Sequence, residues 1–368
     1  MKLWQILGIV ALGVVFGLFA PGRLAYAFGH ATLYVFLPAL LFEAAWNLNF
    51  RAMRRQWLPI AMLAGPGVLL TAGVVAGALA IVGIPLGPAL LTGAILSATD
   101  PIAVVAVFRR LPVPRTLATI VECESLFNDA VAVVLYRAVL AGIALGIAGA
   151  GSIALITLET IAGAVCGVAL GIAVAFVAAR GLQRAAGSAA VQIAGTLSCA
   201  YGAYFAADYL HLSGIFATIA FGIALRYYER ASITLTIAGE VEHFWDVAAL
   251  CANMVVFFLA GAALEISRLT AAPIFTVAAL AGVAIARFAV ARLFCPGPVR
   301  REWVGVVRVA GMRGALSLAL ALALPASVPF REAIVDATFA VVLATLLAGG
   351  LALDRVVRRA ALRHTPSG

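Results

Sequence analysis

The chain has 368 residues, 64% of them hydrophobic and 11% charged, with a mean hydropathy of +1.11 and a formal net charge of +9. Soluble domains are nearer half apolar and a quarter charged, so this composition excludes one and indicates a polytopic membrane protein. The positive charge is spread over short loops, which points to membrane topology and away from a nucleic-acid surface.

Twelve apolar stretches approach the roughly 20 residues that a helical span requires. They run over 3–20, 28–46, 57–83, 86–108, 118–146, 152–179, 188–207, 211–226, 243–264, 273–294, 303–325 and 331–353. The eighth is short. Their lengths suit helices, because barrel strands are shorter and alternate. At the N-terminus, Lys2, the first stretch and Ala25-Tyr26-Ala27 imitate a secretory signal. The run is longer than a signal core, and Gly8, Gly13 and Gly17 suit close helix packing, so it reads as a retained first helix. With both termini in the cytoplasm, most of the 25 Lys and Arg fall in inside segments. Only Arg23, Arg268 and Arg331 fall outside, and Arg137, Arg287, Arg308 and Arg313 lie within apolar runs. Alternation of this kind sets both count and orientation. No linker or appended domain is expected, and the tail past the last span is short.

Two spans look interrupted. The fourth contains Thr99-Asp100-Pro101, where proline removes a helical hydrogen bond and pushes Asp100 away from helical geometry. The eleventh contains Gly311-Met312-Arg313-Gly314, whose glycines weaken a helix. Irregular backbone at membrane depth survives only inside protein or beside water. Each interrupted span is second-to-last in its half, the pattern of inverted repeats with a midplane site between discontinuous helices. The repeats would cover about 1–146 and 188–355, joined by the span at 152–179, in a single membrane domain. The fold class expected is therefore all-α, with about 12 transmembrane helices in inverted repeats.

An ionisable group at bilayer depth is a functional-site candidate. Asp100 lies at the first break. On the fifth span Glu124 and Asn128 are four apart, as are Ser125 and Asp129, so adjoining faces of one helix present two acids, an amide and a hydroxyl. Oxygens of Asp129, Asp100, Ser125 and Thr99, with unwound carbonyls, suit a hard monovalent cation. Low-dielectric surroundings disfavour a bare carboxylate, so such a group holds either a proton or a cation. Competition for one site, exposed alternately to each side, gives exchange. Arg287 is the expected partner of Glu124, which leaves Asp129 as the exchanging group. The five cysteines (Cys123, Cys166, Cys199, Cys251 and Cys295) have no metal-ligand or redox spacing and read as small core residues. Phe244 and Trp245 read as an interfacial anchor. No nucleophile–base constellation and no cofactor motif is present, so an enzyme is not expected.

Four ordered motifs resemble a known family. They are Leu37-Pro38-Ala39-Leu40-Leu41-Phe42-Glu43, Thr99-Asp100-Pro101, the Glu-Ser-Leu-Phe-Asn-Asp run at 124–129, and Gly311-Met312-Arg313-Gly314-Ala315. Their order and spacing across nearly the whole chain are similar to the monovalent cation:proton antiporter family, the sodium/proton exchangers of the NhaP/NHE type. The resemblance implies a homodimer in which a core domain moves against a dimer domain. It implies Asp129 as the essential ion- and proton-binding carboxylate, with Asp100 and Thr99 on a crossed helix beside it. Ser125 would line the site, and Glu43 would approach from the second span. Arg287 matches the arginine that pairs with the glutamate matched by Glu124, and Arg313 matches the arginine of the second broken helix. The Asn128-Asp129 pair resembles the electroneutral branch, one cation for one proton. Two departures stand out: twelve spans are expected here where family members often have thirteen, and Asp246 stands where the family segment usually has a glutamate after Phe-Trp. The reading is a bacterial inner-membrane Na⁺ (or Li⁺)/H⁺ antiporter without cofactors. K⁺/H⁺ exchange on the same scaffold, or a non-transporting regulatory membrane protein, are the alternatives.

Overall fold

The computed structural model describes residues 3–19, 32–108, 111, 113–144, 146, 150–184, 188–230, 235–263, 272–294 and 303–362. Ala25-Tyr26-Ala27, Cys295, Lys2 and the loop arginines Arg23, Arg109, Arg110, Arg268, Arg300, Arg301 and Arg363 lie outside the described residues. Among the described residues every regular element is helical. In chain order these are α1 (Leu3–Phe19), a π-helical turn (Thr32–Phe36), α2 (Leu37–Asn47), α3 (Phe50–Arg55), α4 (Trp57–Ala64) and α5 (Pro66–Ile81). Then come α6 (Leu86–Ser97), α7 (Ile102–Phe108), α8 (Arg115–Ala144), α9 (Ala150–Arg184), α10 (Ala189–Tyr209) and α11 (Gly214–Arg230). The chain continues through α12 (Leu235–Ala263), α13 (Pro273–Leu293), α14 (Val304–Ala310), α15 (Ala315–Leu322) and α16 (Arg331–Leu362). Seven helices among the described residues are long and apolar enough to cross a membrane, and three shorter apolar helices accompany them. The protein is a polytopic all-α membrane protein.

Each apolar stretch holds helix, but several are not simple rods. The stretch at 57–83 is kinked at Gly65 (φ −93, ψ −85), with Pro66 opening α5. Gly65 and Pro66 together break the ladder locally, where sequence predicts an uninterrupted span. The second stretch enters α2 through the π-helical turn, since Pro38 has no N–H to continue an i→i−4 ladder upstream. The last helix runs on to Leu362 and carries Arg355, Arg358 and Arg359, which lie past the expected end of the last span at 353.

Two compact units are built from interleaved segments. The first comprises Met1–His30, Arg51–Ile143 and Met254–Gly368; the second comprises Ala31–Phe50 and Ala144–Asn253. In the first unit α5 packs on α6 and α13, while α16 packs on α13, α14 and α15. Small residues permit these approaches: Gly93 of α6 lies against the Ala72 backbone of α5, and Gly282 of α13 against Val75. Gly13 and Gly17 of α1 meet the backbone of Phe258 and Ala262, as expected, but Gly8 faces open space.

In the second unit α9 and α11 make the most extensive pairing. Gly167 and Gly171, one turn apart on α9, rest on the backbone of Ser213 and Ala217. Beside them Phe42, Trp46, Phe221 and Trp245 form a buried cluster. Trp245 is 0% exposed. Its ring centroid lies 4.4 Å from that of Phe42, and its Nε1 donates to Thr196 Oγ1 at 3.2 Å. It is a core residue rather than an interfacial anchor, because its indole N–H finds a buried partner. Cysteine placement also differs from expectation: Cys123 is buried, but Cys166 and Cys251 are exposed. On a membrane helix the outward face is apolar too, so apolar neighbours in sequence do not imply burial.

Candidate functional site

The first unit contains the crossing of two interrupted helices. The first pair, α6 and α7, is separated where Ala98 becomes extended (φ −59, ψ 141) ahead of Pro101. The second pair, α14 and α15, is separated between Gly311 (φ −76, ψ 49) and Gly314 (φ −148, ψ −149). The two unwound backbones are laced together. Asp100 N–H donates to the Met312 carbonyl at 2.8 Å. Ala315 N–H donates to Asp100 Oδ2 at 3.4 Å. A carboxylate at the first amide of α15 offsets the positive end of that half-helix. Gly314 is required here, since a Cβ on it would fall on the Asp100 carboxylate.

The continuous helix α8 supplies the other polar groups, with Glu124, Ser125 and Asn128 all buried. Ser125 Oγ donates to the Thr99 carbonyl at 2.5 Å. Thr99 Oγ1 donates to Ser125 Oγ at 3.4 Å, and Asn128 Nδ2 donates to Thr99 Oγ1 at 3.3 Å. Groups released by the break at Thr99 are thus bonded by side chains one turn apart on α8. Next to them Asp129 is half-buried, and its Oδ1 is buried without a hydrogen-bond partner. Asp129 lies within electrostatic reach of Asp100 and Arg313.

Glu124 and Arg287 form a bidentate ion pair. Arg287 Nη1 donates to Glu124 Oε1 at 2.6 Å and Nη2 to Oε2 at 3.3 Å. The same guanidinium donates through Nε to the Arg308 carbonyl at 3.3 Å and through Nη2 to the Val307 carbonyl. Both carbonyls belong to the last turn of α14, where no helical N–H can reach them. Arg287 therefore closes the C-terminus of one half-helix while neutralising an acid on α8. Gly311 makes room for it: a Cβ there would collide with the guanidinium.

Arg313 sits in the second break, 1% exposed. Its backbone N–H donates to Thr345 Oγ1 at 3.1 Å. Its Nε and Nη1 are buried without hydrogen-bond partners, and it lies within electrostatic reach of Glu124, Asp129 and Arg287. Thr99, Asp100, Glu124, Ser125, Asn128, Asp129, Arg287 and Arg313 are thus placed in one unit. Glu43 belongs to the second unit, where Asn47 Nδ2 donates to Glu43 Oε1 at 2.7 Å and to Asp246 Oδ1 at 3.1 Å. Sequence reasoning missed Ser317 and Thr345, which bond to the broken backbones. Hydroxyls in apolar helices carry no signal by themselves.

The family model for the transmembrane part of sodium/hydrogen exchangers matches residues 1–359. This chain belongs to the sodium/hydrogen exchanger family. Among its relatives, the low-affinity Na⁺/H⁺ antiporter NhaS1 of Synechocystis is 35% identical over 88% of this chain and 63% of its own length. The Na⁺/H⁺ antiporter ApNhaP of Aphanothece halophytica is 33% identical over 97% of this chain and 69% of its own. The Na⁺/H⁺ antiporter NhaP of Pseudomonas aeruginosa is 32% identical over 96% and 90%. The exchanger-family chain therefore spans about two thirds of the cyanobacterial relatives and most of the pseudomonad one. Its fold is similar to the sodium proton antiporter MjNhaP1 of Methanocaldococcus jannaschii, with a TM-score of 0.83, 20% identity, and coverage of 96% of this chain and 92% of the other.

Proposed function

We propose that this chain exchanges Na⁺ or Li⁺ for H⁺ by alternating access, with cation and proton competing for Asp129. The observation that carries the reading is the buried, unpartnered Oδ1 of Asp129, on the helix whose Ser125 and Asn128 bond to Thr99 at the first break. The other acids have fixed work: Glu124 is paired with Arg287, and Asp100 accepts from the first amide of α15. Asp129 also interacts with the Thr99 backbone, but its Oδ1 has no hydrogen-bond partner and is left to exchange one charge for another. Deprotonated, it attracts a monovalent cation that surrounding oxygens can ligate; protonated, it releases it. Asn128 beside it is neutral, which supports one cation per proton and no net charge moved. The names of the relatives support Na⁺ as the cation.

On this reading the chain carries out no covalent chemistry and needs no resident cofactor. It works as a homodimer in a bacterial inner membrane, with both termini in the cytoplasm, in keeping with the arginine distribution. In everted vesicles, Na⁺ addition to the wild type is expected to discharge a proton gradient, and Asp129→Asn is expected to abolish the response. Retained exchange in that variant overturns the assignment of the site. Repeating the assay with Li⁺ and K⁺ fixes the cation.

A further inference from the structure

The helix α6 ends at Ser97, and its final turn leaves carbonyls that no helical N–H reaches. Hydroxyls take up three acceptors along this stretch. Ser97 Oγ donates to the Ala94 carbonyl at 2.7 Å. Ser125 Oγ, from α8, donates to the Thr99 carbonyl. The third comes from the opposite interrupted helix: Ser317 Oγ, on α15, donates to the Ile95 carbonyl at 2.9 Å. Ser317 is 0% exposed, so no solvent competes for that bond.

The placement of this bond gives it a second role. Ser317 is three residues past Gly314, and Ile95 is five residues before Asp100. The Asp100–Met312 backbone bond and the Ala315–Asp100 bond lie between them. The two interrupted helices are thus sewn at the crossing itself and again one turn into the flanking helices. Two attachments fix an angle where one fixes only a point. That angle sets where Thr99 and Asp100 stand against α15, and thereby against Asp129 on α8.

We propose that Ser317 is a positioning residue for cation binding, holding the unwound Thr99–Asp100 segment in register with the second broken helix. This rests on the exchange reading above. Loss of the hydroxyl leaves a buried acceptor unpaired and frees the crossing angle. It does not touch the exchanging carboxylate.

The test uses the full chain in proteoliposomes, with Na⁺ as the varied cation. Ser317→Ala is expected to raise half-saturating Na⁺ by about tenfold, because cation binding needs the fixed crossing angle that the lost hydrogen bond maintained, while maximal rate changes far less. Ser317→Thr, which keeps the hydroxyl, is expected to recover most of the affinity. Hydrogen exchange over 96–104 is expected to quicken in Ser317→Ala and not in Ser317→Thr. An unchanged half-saturation in a folded Ser317→Ala protein overturns the inference. So does a fall in maximal rate and melting temperature together, with half-saturation unmoved. If Ser317→Ala does not fold, Ser317→Cys, nearly isosteric with a weaker donor, is read by the same criteria. A wild type with no Na⁺-dependent proton flux defeats the exchange reading instead.

Discussion

Three acids share one neighbourhood and have unequal surroundings. Glu124 is 2% exposed and tied to a guanidinium that also holds two carbonyls of α14. Removing one member of a buried pair is more damaging than never having had the pair, since it strands a charge. Arg287→Ala is therefore expected to destabilise the protein by about 3–5 kcal/mol, read as a large fall in thermal stability in detergent. The Na⁺ half-saturation of the surviving folded protein is expected to change little. A large affinity change with normal stability would place Arg287 among the cation's own neighbours. The same geometry separates Asp100 from Asp129: one carboxylate accepts from the amide that opens α15, and the other presents a bare oxygen.

The breaks and helix packing belong to the scale of elements. Pro101 and the paired glycines 311 and 314 are local signals, and both interruptions were readable from them. The Arg287–Glu124 pair was legible in part: an arginine in an apolar span calls for an acid, and the family resemblance, rather than any spacing, matches that acid to Glu124. The kink at Gly65 was equally local, in Gly65-Pro66-Gly67, but an apolar run on both sides masked it. Ser317 and Ile95 are 222 residues apart, and a bond of that kind depends on tertiary approach that no spacing encodes. The α9–α11 contact is the clearest packing constraint in the second unit. A Cβ at Gly171 would meet the Ala217 carbonyl, whereas one at Gly181 on the same helix would meet open space. Gly171→Val is expected to lower stability by at least the 1–3 kcal/mol typical of overpacking. Gly181→Ala is expected to be neutral or slightly stabilising. Equal melting temperatures for the two variants would show that the helices separate freely.

For the molecule as a whole, the segments that make each compact unit are not contiguous in sequence. The expected repeats divide the chain at its middle, and the compact units cut across that division, each drawing on both halves. Composition revealed the membrane class, and charge placement suggested an orientation, but neither could reveal which segments pack together. Charge stoichiometry is also a property of this scale. An imposed potential acts on each net charge moved with about 2.3 kcal/mol per 100 mV. If one cation exchanges for one proton, the initial Na⁺-driven rate in proteoliposomes is expected to be the same with and without a potassium-valinomycin potential. A rate that follows the potential would mean that charge is carried, and would count against Asn128 as the sign of one-for-one coupling.

Gly311 and Arg287 constrain the order in which this chain can change. While the guanidinium is in place, any side chain at 311 collides with it. A lineage that first lost Arg287 would find position 311 open, but one that first altered 311 would have to displace the arginine from two carbonyls and a carboxylate at once. One route runs through a poorly balanced acid and the other through a steric clash, so the pair acts as a ratchet on sequence drift. A glycine that looks like mere helix breakage is in this way a record of a neighbour's size.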